Sequence, residues 1–430
     1  MSRIPERLRR KLAVALAGIA GLFVVWFILI MLLPYRRELR HPVPPGAPVS
    51  DPQFRRDMAG LFGTPIIGGN TAETLLNGDA IFAAMLDAIR DARQSVTFET
   101  YIYWNGQIAE RFADTLIARA QAGVLVKVLI DWAGGLPMAD DLIERMRAGG
   151  VELRMFRPMR WHTLTRLNNR THRKVLVIDG RIGFTGGVGV GDAWSGDARN
   201  PSEWRDTHYR VTGPVVAMLQ NAFAHNWAEA SGELLRGPAF FPPLEPEGSA
   251  DMQLIKSNTG SRNDMHLMFM TALAAAQSHI RISTPYFVPD QIAIEQLLQA
   301  RARGVQVDLL LAGAHTDSYL VRRVSRRPWR ALLEAGVTIR EFAPTFLHAK
   351  LLIVDEDWAS VGSSNFDERS FRLNDEANLN VYDRDFVAQQ ISVFETDCVR
   401  ARTVSKADLD RLGWWVHARD SVLGLLRPHL

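Results

Sequence analysis

Two stretches of this 430-residue chain carry the same elements in the same order, and that internal repeat constrains the fold more than any other feature. Each stretch opens with a helical pattern (AIFAAMLDAIRDAR; LMFMTALAAAQS) and runs into a strand-like segment containing a tyrosine (SVTFETYIYW; HIRISTPYFVPD). A helix and a buried strand follow (AERFADTLIARAQAGVLVKVLID; AIEQLLQARARGVQVDLLLAG). Next comes a helix ending in glycine that leads into another strand (IERMRAGGVELRMF; WRALLEAGVTIREF). Each stretch then reaches a strand carrying His and Lys (THRKVLVIDG; LHAKLLIVDE). Matched points lie 176 to 185 residues apart: His172 to His348, Gly123 to Gly304, Tyr101 to Tyr286. Alternating helices and apolar strands predict an α/β fold. It is expected as two tandem repeats, each a mostly buried β-sheet flanked by helices, related by a pseudo-twofold with one site between them. The repeats are placed at 70–236 and 251–400, with a Pro/Gly-rich linker at 237–250.

The repeated motif is H-x-K-x4-D: His172, Lys174 and Asp179, then His348, Lys350 and Asp355. Both copies run into apolar strands, VLVID and LLIVD. Side chains alternate along a strand, so His and Lys at i and i+2 share a face. The Asp lies an odd seven residues after the His and points the other way in a regular strand. Asp179 and Asp355 therefore belong to the catalytic motif as supports of local geometry rather than as reacting groups. Seven residues beyond each Asp a small-residue turn begins, Gly186-Gly187-Val188-Gly189 and Gly362-Ser363-Ser364-Asn365. Such turns let backbone N–H groups, here near Gly187, approach an anion, and Ser363 and Asn365 add side-chain donors. Glu376 lies eleven residues past Asn365, and Asp206 is its acidic counterpart in the first half. An acid near each His can hold its Nδ1–H and leave Nε2 free to react.

Two imidazoles, two ammonium groups and amide or hydroxyl donors suit a phosphodiester. One His attacks phosphorus; the other protonates the leaving alkoxide and then deprotonates the incoming alcohol or water. Lys174, Lys350 and Asn365 stabilise the charge on the transferring group. This chemistry requires no metal and no cofactor, because the ammonium groups supply the positive charge. The single cysteine, Cys398, excludes an intramolecular disulfide and any Cys-based metal cluster.

Residues 12–33, LAVALAGIAGLFVVWFILIMLL, hold no charge. At about 1.5 Å per residue they reach ~33 Å, enough for a bilayer core of roughly 30 Å. The run is longer than a signal-peptide apolar stretch and ends in Pro34-Tyr35-Arg36, so a retained transmembrane helix within residues 1–40 is expected. Arg3, Arg7, Arg9, Arg10 and Lys11 before it favour a cytoplasmic N-terminus, while Arg36, Arg37 and Arg40 pull the other way. Residues 41–69 read as a proline-rich spacer. Residues 401–430 read as a basic tail whose Trp414, Trp415, Val416, Leu423, Leu425 and Leu426 alternate with Arg411, Arg419 and Arg427. That tail fits either a membrane surface or the body of the protein. The sequence pI near 9.1 invites a nucleic-acid reading, but the charge sits at the ends. Residues 1–40 hold eight Lys/Arg against two Asp/Glu, residues 400–430 six against three, and residues 41–399 36 against 42. That balance is unfavourable for a phosphate-backbone binder, and no nucleic acid is expected as a partner.

In THRKVLVIDGRIGFTGG, WRDTHYRVTGP, STPYFVPD and LHAKLLIVDEDWASVGSSNFDERSFRLNDEANLNVYD the chain resembles the phospholipase D superfamily, and within it the bacterial cardiolipin synthase branch. The resemblance covers roughly residues 70 to 400. It implies two phospholipase D-like repeats, with His172 as nucleophile and His348 as general acid/base. Lys174, Lys350 and Asn365 would bind phosphate; Glu376 and Asp206 would orient the histidines. The implied reaction joins two phosphatidylglycerols into cardiolipin and releases glycerol. The implied partners are phospholipid and the bilayer, in a single-pass bacterial inner-membrane protein. Two departures stand out: Gly189 replaces the family's Asn, and many relatives carry two spans. The same constellation also serves a phospholipase D-type hydrolase releasing phosphatidic acid, or a nuclease. A non-catalytic scaffold is the alternative of a different class. Tyr101, Tyr103, Trp104, Trp161, Tyr286 and Phe287 line an acyl entrance or pack in the core.

Overall fold

The computed structural model describes residues 6–32, 39–159, 168–258 and 263–411. Trp161, the tail from 412 onward, and the flanking Arg3, Arg36 and Arg37 lie outside the described residues. The N-terminal unit is one helix, Glu6–Leu32, and its window Arg10–Phe27 is long and apolar enough to cross a membrane.

The body beginning at Leu39 is built on seventeen strands among the described residues. The first half supplies β1 (Ile67–Leu76), β2 (Ser95–Thr100), β3 (Leu125–Asp131), β4 (Glu152–Phe156), β5 (Val175–Ile178), β6 (Ile182–Gly186) and β7 (Thr207–Thr212). The second supplies β8 (Ala250–Lys256), β9 (His279–Thr284), β10 (Phe287–Val288), β11 (Gln306–Ala312), β12 (Thr338–Phe342), β13 (Leu351–Val354), β14 (Trp358–Gly362), β15 (Phe366–Asp367), β16 (Ala377–Tyr382) and β17 (Ala401–Thr403). Fifteen of them form one sheet in the order β17-β12-β11-β9-β13-β14-β16-β8-β1-β7-β6-β5-β2-β3-β4. The order reads alike outward in both directions from the β1–β8 seam, where Ile67 faces Met252 and Asn70 faces Ala250. In each half three strands run parallel (β2, β3, β4; β9, β11, β12) and the strands nearer the seam run antiparallel. The two repeats thus share a single continuous sheet.

Both faces are covered, which is why the motif strands are uninterrupted apolar runs. On β5, Leu176 and Ile178 enter the first half's outer core, while Val175 and Val177 enter a core shared by both halves. On β13, Leu352 and Val354 face outward, and Leu351 and Ile353 join the same shared core. Period-two alternation therefore glues the halves together on one face and packs each against its own helices on the other.

Two boundaries shift. The expected spacer 41–69 is folded onto the second half: Gln296 bonds both the N–H and the carbonyl of Val43, at 2.8 and 3.1 Å. Helix Pro52–Phe62, capped by Asp51, buries Phe54, Met58 and Phe62 in the second half's core. The segment after 400 begins not as a tail but as β17, which pairs antiparallel with β12. Apolar Phe54, Met58 and Phe62 at helical spacing and a short edge strand explain both shifts.

Candidate active site

Each His sits in the extended segment just before its strand, and each segment is stitched to the opposite half. His172 N–H donates to the Asp375 carbonyl at 2.8 Å, and Asp375 N–H donates to the Arg170 carbonyl at 2.8 Å. The mirror pair is Arg205 N–H to the Phe346 carbonyl at 2.9 Å and His348 N–H to the Arg205 carbonyl at 2.7 Å. Each ladder ends one residue short of an acid, and this crosses the dyads. His172 Nδ1 lies 3.0 and 3.1 Å from the two oxygens of Glu376, an acid of the second half. His348 Nδ1 lies 2.7 Å from Asp206 Oδ2, an acid of the first half. All four side chains are buried.

Burial pushes His172 down to about 4; Glu376 opposes this, and Lys174 adds to it. Burial and the Lys350 ammonium push His348 down to about 3, against the pull of Asp206. Burial works to raise Glu376, but His172 and Lys174 outweigh it and hold the carboxyl at about 2. Asp206 is likewise held below its ordinary value: His348 and Lys350 overcome its burial. Both imidazoles are therefore neutral near pH 7, each donating Nδ1–H to a carboxylate; His172 keeps its Nε2 lone pair, while Lys350 Nζ lies 2.9 and 3.1 Å from Nδ1 and Nε2 of His348.

Lys174 Nζ donates to the His172 carbonyl at 2.8 Å, and Lys350 Nζ donates to the His348 carbonyl. Burial and Lys350 lower Lys174 well below an ordinary lysine; burial brings Lys350 to about 8 despite Asp206 and Glu376. Asp179 and Asp355 stand apart from this centre. Asp179, at φ 53°, accepts from the N–H groups of Arg93, Gln94 and Ser95; Asp355, at φ 54°, accepts from those of Gln277, Ser278 and His279. They fix the corner into β2 and β9.

The glycine-turn residues have structural partners of their own. Ser363 Oγ donates to Glu376 Oε2 at 2.5 Å and accepts from Ala377 N–H at 3.0 Å, so its hydroxyl serves the dyad. At Gly187 a Cβ would lie 2.1 Å from Asp206 Oδ1, so glycine there makes room for the carboxylate. At Gly189 a Cβ would lie 2.8 Å from Ile102 Cβ, and Ile102 occupies the space an Asn would need. Asn365 is buried, its side chain bonded to Asp367 and its Oδ1 unpartnered.

Several neighbours escaped sequence reasoning. Ser370 Oγ donates to Glu376 Oε1 at 2.8 Å, and Trp194 Nε1 donates to Asp206 Oδ2 at 2.9 Å. Trp194, Trp204 and Phe346 surround the His348 ring, with centroids 5.4, 5.7 and 5.5 Å away. Tyr101 sits edge-on to His172 at 5.3 Å. Of the aromatic residues considered for an entrance, Tyr103 and Phe287 are fully buried core; Tyr101, Trp104 and Tyr286 are half-buried. A usable signal existed for Phe346: it is two residues before His348, on the same face of an extended segment. None existed for Trp194 or Ser370.

A family model described as "Cardiolipin synthase, PLD-like domain" matches residues 85–199 and 269–398, once in each half. The chain is 36% identical over 352 residues to cardiolipin synthase A of Pseudomonas syringae pv. syringae, covering 81% of this chain and 73% of that protein. It is 34% identical over 370 residues to a cardiolipin synthase of Geobacillus thermodenitrificans, covering 85% and 74%. Among solved structures, phosphatidylserine synthase of Haemophilus influenzae Rd KW20 shares the fold with TM-score 0.65 at 15% identity, covering 88% of this chain and 100% of that one. Polyphosphate kinase from Porphyromonas gingivalis shares it with TM-score 0.54 at 12% identity, covering 90% and 57%.

Proposed function

The chain belongs to the cardiolipin synthase branch of the phospholipase D superfamily and is a phosphatidyltransferase of that type, and we propose that it moves a phosphatidyl group from one phosphatidylglycerol to another through a phosphohistidine on His172. The observation that carries the mechanism is the crossed pair of His–carboxylate contacts, 3.0 Å for His172 and 2.7 Å for His348. His172 Nε2 attacks phosphorus; the P–N bond forms as the P–O bond to glycerol breaks. His348, which takes up a proton at Nε2 when the phosphodiester anion binds, hands that proton to the glycerol oxygen, and glycerol leaves. The hydroxyl of the second phosphatidylglycerol then gives its proton to His348 and attacks phosphorus, the P–N bond breaks, and cardiolipin departs. Glu376 and Asp206 hold the two Nδ1–H groups throughout, which stabilises each imidazole as it gains positive charge. Lys174 and Lys350 balance the charge on the phosphoryl oxygens. Family resemblance assigns the attack to His172, since the repeat makes the two histidines locally alike. The N-terminal helix anchors the body in the bacterial inner membrane, beside its lipid substrate.

The test is to incubate detergent-purified full-length protein with phosphatidylglycerol and identify products by mass spectrometry. Cardiolipin and glycerol in equal amounts are expected. Phosphatidic acid alone would make the protein a hydrolase. Substituting either His172 or His348 by Ala should abolish turnover; substantial activity in either variant refutes the shared site.

A further inference from the structure

The repeat makes mismatched positions informative. Extended segments place Arg170, His172 and Lys174 on one face, and Phe346, His348 and Lys350 on the mirror face. Inside the two histidines the halves agree on lysine; outside them one offers a guanidinium and the other an aromatic ring. On the second half's side, Phe346 packs on His348 and on Trp204, with centroids 5.5 and 4.8 Å away. On the first half's side, the Arg170 guanidinium lies 5.9 Å from the centre of the Trp132 ring. Among the described residues it makes no hydrogen bond or ion pair, and its Nη1 is buried without a partner.

Among the described residues no carboxylate pairs directly with this charge. Asp131 acts on Arg170 from a distance, and its oxygens are taken by N–H groups of Thr171 at 2.9 Å, Ala133 at 2.9 Å and Gly134 at 3.3 Å. Asp375, next to the histidine ladder, pairs with Arg157 at 3.3 Å. A second arginine, Arg369 from the other half, is held by Asn168 at 2.8 and 2.9 Å. It is near enough to Arg170 and to Tyr101 for each to feel its charge. Two like charges converging beside Tyr101, which itself touches His172, form a receptor for an anion, and the guanidinium fork matches a phosphate.

We propose that Arg170, with Arg369 beside it, binds the phosphate of the acceptor lipid, the one that does not react. This rests on the transferase reading. Phosphatidylglycerol as acceptor carries its own phosphodiester three carbons from the attacking hydroxyl. In the product the two phosphorus atoms are joined by P–O–C–C–C–O–P, six bonds. Two extended residues are also six bonds, roughly 7 Å, so the step from His172 to Arg170 matches the spacing of the two phosphates. Water or a simple alcohol carries no second phosphate, so this subsite selects the acceptor rather than assisting bond cleavage.

The experiment is an internal competition. Full-length protein in detergent receives phosphatidylglycerol together with ethanol, and cardiolipin and phosphatidylethanol are quantified by mass spectrometry from the same mixture. Their ratio cancels general losses of activity or folded protein. Arg170→Gln, which keeps the first part of the stem and a polar end but removes the charge, should lower the cardiolipin:phosphatidylethanol ratio by about tenfold or more. Arg170→Lys, which restores a charge without the fork, should recover part of it. A ratio in Arg170→Gln equal to wild type overturns the subsite, as does an Arg170→Lys ratio no higher than that of Arg170→Gln. Wild-type protein forming neither product overturns the transferase reading itself.

Discussion

Removing the charge from each carboxylate should separate the two dyads, because their hydrogen-bond partners differ in kind. In Asp206→Asn the amide must choose which end faces His348. At Oδ2 the carboxylate now receives His348 Nδ1–H at 2.7 Å and Trp194 Nε1–H at 2.9 Å; at Oδ1 it receives Thr207 N–H at 2.8 Å. The indole cannot accept a hydrogen bond. An NH2 at the Oδ2 position would therefore oppose Trp194, so the amide oxygen stays there and His348 keeps its tautomer. The charge is lost, together with the Thr207 N–H hydrogen bond, which an NH2 at the Oδ1 position cannot accept. A hydrogen bond to a charged group is worth about 1.5–3 kcal/mol, which predicts a fall in kcat of roughly 10- to 100-fold.

Glu376→Gln differs. Its oxygens receive Ser363 Oγ at 2.5 Å on Oε2, and Ser370 Oγ at 2.8 Å and Asn374 Nδ2 at 3.3 Å on Oε1, besides His172; Asn374 Nδ2 only donates, but the Ser363 hydroxyl on Oε2 can turn round and accept. The amide NH2 can then face His172, drive its proton to Nε2 and remove the attacking lone pair. Charge loss and tautomer error together predict a fall on the order of 10³- to 10⁴-fold. The assay is kcat for cardiolipin formation by each purified variant at saturating phosphatidylglycerol, with melting curves showing both folded. Equal losses, or a larger loss in Asp206→Asn, would refute the reasoning.

Three other outcomes are expected. Gly187→Ala puts a Cβ at the Asp206 carboxylate, so it should lower kcat at least as much as Asp206→Asn and cost about 1–3 kcal/mol of stability, read by chemical denaturation. Gly189→Asn, which restores the family residue, should melt below wild type without faster turnover, because Ile102 fills the place; a higher melting temperature would contradict this. Both imidazoles are held neutral, at about 4 and about 3, so a bound phosphodiester anion raises them and draws in a proton. Calorimetric binding of a phosphonate analogue near pH 7, in buffers of different ionisation enthalpy, should show net uptake approaching one proton, and zero uptake would count against it.

The repeat, the α/β class and the membership of the centre were legible because each has a local signature. Two H-x-K-x4-D copies at matched spacing identify themselves, and the odd offset of Asp179 and Asp355 separated them from the histidines by parity alone. What was not legible depends on tertiary contact. Nothing in residues 206 and 376 says which histidine each one serves, and the crossing arises only when the Thr171–Asp375 and Arg205–Leu347 bridges form. Nothing in the residues around Ser363 says that its hydroxyl meets the Glu376 carboxylate, a contact that only the fold creates. The segment 41–69 looked like a spacer because its prolines mask the short apolar stripe of Phe54, Met58 and Phe62.

Crossing has a further consequence. Since each histidine borrows its carboxylate from the other half, neither half contains a working dyad, and any hinge between the halves would break both dyads at once. The continuous sheet and the shared core prevent such a hinge. A symmetric frame nevertheless has to run an asymmetric reaction, in which a neutral glycerol leaves and a charged lipid arrives. The asymmetry enters only where the two copies have diverged: Gly187 against Ser363, Gly189 against Asn365, Arg170 against Phe346. The matched residues build the phosphoryl-transfer centre, and the mismatched ones are where its substrates can be told apart.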